Sequence, residues 1–230
     1  TNIDGARFVF ANLDNSNLLD RTDRTNINLA GADISNISLK GKDLSGVNLS
    51  YVDLSEHDIT GTNLIGVNLS HAKVSKESLK GKDLSGVNLS HVDLSEHDLT
   101  GTNLSDSILL RTNLSSNDLR STILYSADFR YANLSESNMP DSLAHNNFAN
   151  AILKNINFAG KDLSTTTFDQ ADLEGSDMQN ANLTAAFFVA VDFTKIKNKS
   201  LAGANLSNAS FAHANLSDVD LSDVIAYRTN

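Results

Sequence analysis

The sequence lacks several residues on which common protein chemistries depend. Among its 230 residues there is no cysteine and no tryptophan, and there is a single proline. The absence of cysteine excludes disulfides, a thiolate nucleophile and a cysteine metal site within these residues. No apolar run is long enough to cross a bilayer and no signal peptide is visible, so we expect no membrane insertion.

Motifs for catalysis are also missing. The patterns G-x-S-x-G, H-E-x-x-H, G-x-x-x-x-G-K-[ST] and G-x-G-x-x-G do not occur. We therefore predict that these residues form no enzyme and hold no cofactor or metal, although a catalytic domain outside them stays compatible with the sequence. The net charge of −10 disfavours direct nucleic-acid binding and suits a basic partner.

The sequence repeats itself. Residues 39–64 and 79–104 are identical except at Tyr51, which becomes His91, and Ile59, which becomes Leu99. A shorter period underlies this duplication, because every fifth residue from Leu29 to Met139 is apolar. These are 23 central positions, and in 18 of them the preceding residue is Asp or Asn.

A period of five fits neither a helix nor a flat strand. On an α-helix, five residues rotate the apolar position by about 140°, so the apolar side chains would spiral around the axis. On a flat strand an odd step alternates between the two faces. The pattern therefore predicts a backbone that bends once per repeat, with four repeats in a coil of 20 residues. Glycines recur two residues after the central position, where a corner needs a permissive backbone: Gly41, Gly46, Gly61, Gly66, Gly81, Gly86 and Gly101.

The repeats resemble those of the pentapeptide-repeat protein family, whose motif is approximately A-[D/N]-[L/F]-[S/T]-x. Matching units include ADISN (32–36), VNLSH (87–91), ADFRY (127–131), ANLSE (132–136), ADLEG (171–175) and ANLTA (181–185). The resemblance implies an all-β fold, a right-handed quadrilateral parallel β-helix. It also implies that the central residue and the residue two before it point inward.

The phase of the repeat changes at three places, near 19–28, 140–142 and 194–200. We predict one domain over 1–230, with about eleven coils and a length of about 50 Å at one strand spacing per coil. The repeat begins almost at once, at Ile3, and ends close to the last residue. Because open solenoid ends need covering, we expect a module cut from a larger protein or an end-to-end homodimer.

One inward column, two residues before the central position, is ionisable. It contains His57, Glu77 and His97, each 20 residues from the next. Ionisable groups inside a protein are costly unless they are paired, so we expect these three to stack as a hydrogen-bonded polar ladder. The alternatives are a pH-sensitive or metal site, or side chains that leave the interior at a corner.

One outward column, two residues after the central position, carries large amphipathic side chains. Its members are Tyr51, His71, His91, Arg111 and Tyr131. Two other outward columns are mostly Gly or Ser, and the remaining one reads Glu56, Lys76, Glu96, Ser116 and Glu136. Tyr and Arg are enriched at interface hot spots, so this column is a candidate partner-binding surface. The alternative is that large residues merely cover a corner.

A second candidate surface is the insertion at 194–200, where Lys195, Lys197 and Lys199 form a basic bump on an acidic rod. A solvated bulge is the simpler interpretation. The family resemblance favours a protein-interaction scaffold from a bacterial protein such as a secreted effector, with an unknown protein partner. The alternative is an acidic DNA mimic that binds DNA gyrase or topoisomerase, as in fluoroquinolone-resistance members of the family. The location would be the bacterial cytoplasm, or a host cell for an effector.

Overall fold

The structure is a computed structural model that describes residues 3–20 and 26–230, and it forms a β-helix solenoid. Parallel bridges join residues one coil apart, such as Asp83 with Asn103. Regular elements are short because the chain turns every five residues. The strands β1 (Asp53–Leu54) and β2 (Lys73–Val74) pair in parallel, and 3-10 helices span Leu18–Asp20, Phe193–Lys195 and Lys197–Lys199.

Backbone hydrogen bonds tie each coil to the next. The N–H of Leu84 donates to the carbonyl of Asn103 at 2.8 Å, and the N–H of Asn103 donates back to the carbonyl of Lys82 at 2.9 Å. A turn within the coil then follows, where the N–H of Val87 donates to the carbonyl of Leu84 at 3.1 Å. This pattern recurs around the coil and satisfies backbone groups that would otherwise be buried without partners.

Most corners place the residue two after the central position in the left-handed region. Gly41 has φ 67° and Tyr51 has φ 62°, and similar values recur at five-residue intervals through most of the described chain. Only glycine adopts this region without strain from a Cβ atom, which explains the glycine columns. Four such corners fall within the coil that contains His145, Asn150, Asn155 and Gly160, whereas several coils nearer the N-terminus have three.

The core is a single column of apolar side chains. The central residues are buried from Leu29 to Leu206 except Val74, and small residues two before them fill the remaining space. Leucine dominates the N-terminal half, whereas five phenylalanines stack in the C-terminal half, with adjacent ring centroids 4.9–5.5 Å apart. These are Phe129, Phe148, Phe168, Phe188 and Phe211.

The number of residues per coil changes along the rod. Arg7 pairs with Asn28, 21 residues later, and Asp128 pairs with Asn147, 19 residues later. Phe187 pairs with Ser210, 23 residues later, across the segment 194–200. The segment 19–28 includes residues 21–25, which lie outside the described residues. The coil number, the right-handed sense and the single-domain organisation stay predictions.

A neighbouring pair of phenylalanines tests the core. Phe188 is 0% exposed and stacks on Phe168 at 5.1 Å, whereas Phe187 is 48% exposed. We expect Phe188→Ala to lower the free energy of unfolding by about 3–5 kcal/mol, because it removes a ring from a packed column. Phe187→Ala, the control, should cost about 1 kcal/mol or less. Denaturant titration measures both, and equal losses would contradict the inward assignment of Phe188.

Candidate protein-interaction surface

The outward column occupies one corner of five successive coils, and we call it the corner ridge: Tyr51, His71, His91, Arg111 and Tyr131. All five residues have φ between 57° and 62°, and all five are exposed. Their backbones are in register, because each ridge N–H donates to a carbonyl of the next coil at 2.9–3.1 Å. The coil spacing therefore fixes the distance between neighbouring side chains along the ridge.

The ridge side chains stack on one another. The rings of Tyr51 and His71 lie 4.5 Å apart with an interplanar angle of 6°. The rings of His71 and His91 lie 4.3 Å apart at 12°. Further along, the guanidinium carbon of Arg111 lies 5.4 Å from the centroid of the Tyr131 ring, a cation–π contact. These contacts hold exposed, otherwise mobile side chains in one arrangement.

The electrostatics of the ridge differ from those of the flat faces. Partial loss of water contact, followed by the charges of His71 and Arg111, lowers the pKa of His91. In the described part of the chain, Arg111 forms no ion pair with a carboxylate. On the adjoining face, Lys73 is paired with Asp53 at 3.1 Å. The ridge thus presents cationic or protonatable groups that no carboxylate of the described chain neutralises.

Phe10 extends the same corner toward the N-terminus and was missed by the sequence analysis. Its N–H donates to the carbonyl of Ala30, and the next N–H in this column, that of Gly31, donates to the carbonyl of Ser50. The Phe10 ring covers Gly31, with a ring carbon 2.3 Å from where a Cβ of residue 31 would lie. Phe10 is 76% exposed, so the corner presents an aromatic ring beyond Tyr51.

The predicted interior ladder of His57, Glu77 and His97 is wrong, because Glu77 is exposed. In the coil before it, the turn is closed by His57, whose N–H donates to the carbonyl of Leu54 at 3.1 Å. In the Glu77 coil the turn slips by one residue, and Ser78 donates to the carbonyl of Ser75 at 3.2 Å. This slip turns the Glu77 carboxylate into solvent, where it keeps its hydration.

Several polar residues at the inward position hydrogen-bond to the coil below. The Thr102 hydroxyl donates to the carbonyl of Leu79 at 2.9 Å, and the Asn117 amide donates to the carbonyl of Leu94 at 2.8 Å. His97 occupies the equivalent place, with its Nε2 3.1 Å from the carbonyl oxygen of Val74. Each of these three side chains therefore pairs with a backbone carbonyl 23 residues earlier, whereas the buried Ser107 hydroxyl has no partner in the described chain.

The lysine segment is compact. Ile196 is 3% exposed and anchors the segment to the core. Lys197 pairs with Asp177 at 2.9 Å, and Lys195 approaches Asp192 at 3.8 Å. Lys199, with φ 49°, has no carboxylate partner among the described residues. Two of the three lysines are thus already near carboxylates, and partner binding by this segment stays a prediction.

Within the part of the chain that the structure describes, two other features are absent. No helix there combines the length and apolar character needed to span a membrane. No group of three or more histidine, aspartate or glutamate side chains is arranged to hold a metal ion in residues 3–20 and 26–230.

The architecture defines a class, the parallel β-solenoids built from five-residue units. Comparison with family models matches "Pentapeptide repeats" eight times, at residues 27–64, 43–81, 62–106, 83–116, 111–141, 142–180, 151–194 and 194–225. The chain belongs to the pentapeptide-repeat family. A search for similar sequences among curated proteins found no match.

Solved structures of the same family are similar to the chain at low identity. A trypsin-treated variant of QnrB1, a plasmid-mediated fluoroquinolone resistance protein, is 18% identical, with coverage of 86% of this chain and 89% of that one and a TM-score of 0.48. HetL of the cyanobacterium Nostoc sp., involved in heterocyst differentiation regulation, is 25% identical, covering 100% and 88%, with a TM-score of 0.34.

The ridge makes a prediction about the titration of His91. Its pKa should lie below the ordinary value of about 6.5, and His71→Asn should raise it, because the variant removes a neighbouring imidazolium and its cover. NMR titration of the histidine ring protons measures this value. A His91 pKa above the ordinary value, or one that ignores the substitution, would contradict the stacked arrangement.

The same shift sets the sign of a pH effect on stability. At His91 the folded protein binds fewer protons than the unfolded chain does. The free energy of unfolding is therefore unaffected by this group above about pH 6.5, and it decreases as the pH falls toward the folded-state pKa. We expect His91→Asn to flatten this part of the stability profile, measured by denaturant titration across that range. A slope that steepens in the variant would refute the assignment.

Proposed function

We propose that the chain is a non-enzymatic protein-interaction scaffold, a rigid right-handed rod of about eleven coils that presents the corner ridge to a protein partner. The observation that carries this proposal is the stacking of exposed Tyr51, His71 and His91 at 4.3–4.5 Å. Side chains held in place before binding lose less conformational entropy when a partner docks. Tyr51 in this stack, and Arg111 and Tyr131 further along the ridge, are residue types typical of hot spots.

The rest of the surface supports the choice of this corner. Two neighbouring corner columns in the same coils are largely glycine, such as Gly61 and Gly86, and offer little side-chain area. The flat faces carry ion pairs between coils, such as Lys80 with Asp98 at 2.8 Å. Solvated pairs of this kind contribute little net binding energy. The corner ridge combines large apolar area with hydrogen-bond donors that have no such partner.

The setting of the rod is part of the proposal. A module of a larger bacterial protein, such as a secreted effector, would use the rod to engage a host protein. Its location would then be the host cell, whereas a free-standing rod would act in the bacterial cytoplasm. An end-to-end homodimer is compatible with either setting and would leave the corner ridge accessible.

The second candidate is an acidic DNA mimic that binds DNA gyrase or topoisomerase, and the net charge of −10 favours it. Lysines interleaved with the acidic residues weaken it, because Lys40 pairs with Asp58 at 3.0 Å and Lys73 with Asp53 at 3.1 Å. Such pairs interrupt the run of negative charge that a duplex presents. We therefore place the scaffold first.

Site-specific photo-crosslinking tests the scaffold. A photoreactive phenylalanine analogue at position 91 should capture a discrete partner in the native cells, while the same analogue at position 116 should not. Ser116 is the matched control, because it is an exposed corner residue with nearly the same φ on another corner. Equal capture at both positions would reject the ridge as the docking surface.

The partner so captured allows a quantitative test. Arg111→Ala combined with Tyr131→Ala should weaken its binding by about 30-fold or more, as expected for hot-spot residues. Circular dichroism would check that the fold is retained, and unchanged affinity in a folded variant would count against the ridge.

In a supercoiling assay with purified gyrase, with and without a fluoroquinolone, we expect no effect of the chain; inhibition or protection would favour the DNA mimic.

A further inference from the structure

We infer that the corner ridge binds an acidic protein segment, and that it binds that segment more tightly as the pH falls below neutrality. This inference extends the proposed function, because it names the chemistry of the partner. It depends on three features of the ridge: an arginine without a carboxylate partner, two stacked histidines beside it, and neighbouring carboxylates that are already engaged.

Arg111 differs from the other arginines of the adjacent repeats. Arg120 is paired with Asp118 at 2.6 Å and Arg130 with Asp128 at 2.7 Å. Arg111 instead lies over the Tyr131 ring, and no carboxylate of the described chain approaches it. A guanidinium that stacks on an aromatic face keeps its N–H edge available for a carboxylate, which it binds through two parallel hydrogen bonds. Arg111 is therefore a preformed receptor for an acidic side chain.

The two histidines add charge that depends on pH. His71 and His91 stack at 4.3 Å, directly before Arg111 in the column. Protonating both would place three cations in consecutive coils, and repulsion from His71 and Arg111 opposes protonation of His91 in the free protein. A bound carboxylate offsets that repulsion and favours the protonated rings. Binding of an acidic segment is therefore coupled to proton uptake, and acidification strengthens it.

The carboxylates that flank the ridge have other hydrogen-bond or ion-pair partners and form no ion pair with His71, His91 or Arg111 in the described chain. On the adjoining face, Asp53 is paired with Lys73. Asp93 accepts the backbone N–H of Ser95 at 3.0 Å, the Ser95 hydroxyl at 2.8 Å and the Asn113 amide at 3.0 Å. Asp93 stays ionised, because hydrogen bonds from Ser95 lower its pKa, but its oxygens are occupied by those neutral donors. Other charged or titratable groups near the histidines in the described chain include Tyr51 and Arg111 in the column and Arg130 on the preceding face, which is paired with Asp128.

The overall negative charge of the chain does not prevent this recognition. At physiological ionic strength, exposed charges are screened beyond about 8 Å. Neighbouring ridge positions are separated by one strand spacing, about 4.8 Å, so the ridge acts on a bound segment as a local cationic surface. The tyrosines at its ends add hydroxyl donors that also suit carboxylates.

A fluorescein-labelled oligoglutamate peptide is a direct probe, and fluorescence anisotropy measures its binding to the intact chain. Glutamate stays ionised at about pH 5.5 while histidine changes its charge, so the pH effect reports on the protein. We expect about tenfold tighter binding at about pH 5.5 than at about pH 7.5. Equal affinity of the oligoglutamate peptide at the two pH values, or weaker binding at the lower pH, would overturn the inference.

Three variants locate the effect. Arg111→Gln should weaken peptide binding at both pH values, and the double variant His71→Gln, His91→Gln should abolish the gain at low pH. Arg120→Gln is the matched control, because it removes one positive charge that is already paired with Asp118. We expect it to bind like the original chain. If it weakens binding as much as Arg111→Gln, attraction is nonspecific and the inference fails.

The peptide-binding and photo-crosslinking experiments distinguish failure of the acidic-segment inference from failure of the scaffold proposal. If position 91 captures a partner while no variant affects oligoglutamate binding, the acidic-segment inference is wrong and the scaffold proposal stands. If neither position 91 capture nor ridge-dependent peptide binding is observed, both are wrong.

Discussion

The structure depends on hydrogen bonds between successive coils, which require that every coil return to the same place. Leu84 and Leu104 illustrate the constraint: both are fully buried, and each donates its N–H to the carbonyl of the residue 19 positions later, at 2.8 Å. A narrow interior accepts side chains only at matched positions, and the inserted segment 194–200 meets this requirement by burying Ile196. The outward residues have the same register, which is why five side chains from successive coils line up in the corner ridge.

Much of this arrangement could be predicted from the sequence, because it is local and repeated. An apolar residue every five positions predicts the bend, and 20-residue columns predict which surface residues are neighbours. Tyr51, His71 and His91 were placed in one column on that basis, and their rings do stack at 4.3–4.5 Å. Periodicity was sufficient here because each repeat contacts only its neighbours. Whether the ridge binds a partner is a separate question, which periodicity does not address.

The structure differs from the sequence-based prediction where the local backbone can adopt more than one arrangement. Glu77 has the spacing of an inward residue, yet a turn shifted by one position leaves it in solvent, and the energetic cost of burying a carboxylate explains that outcome. Phe10 could not be assigned to the corner ridge from the sequence, because its coil has 21 residues rather than 20 and a strict 20-residue spacing from Tyr51 does not reach it. The pairing of Lys197 with Asp177 similarly depends on how an insertion folds back, which the repeat motif does not encode.

The chain contains no cysteine, so introduced cysteine pairs report on coil register without interference. Ser116→Cys with Glu136→Cys joins equivalent corners of adjacent coils, whose separation of about 5 Å suits a disulfide, whereas Ser116→Cys with Ser126→Cys joins opposite corners of the tube. Under mild oxidation, the account predicts that the first pair forms an intramolecular disulfide and that the second keeps free thiols. Rapid oxidation of the second pair with none in the first would contradict the 20-residue coil.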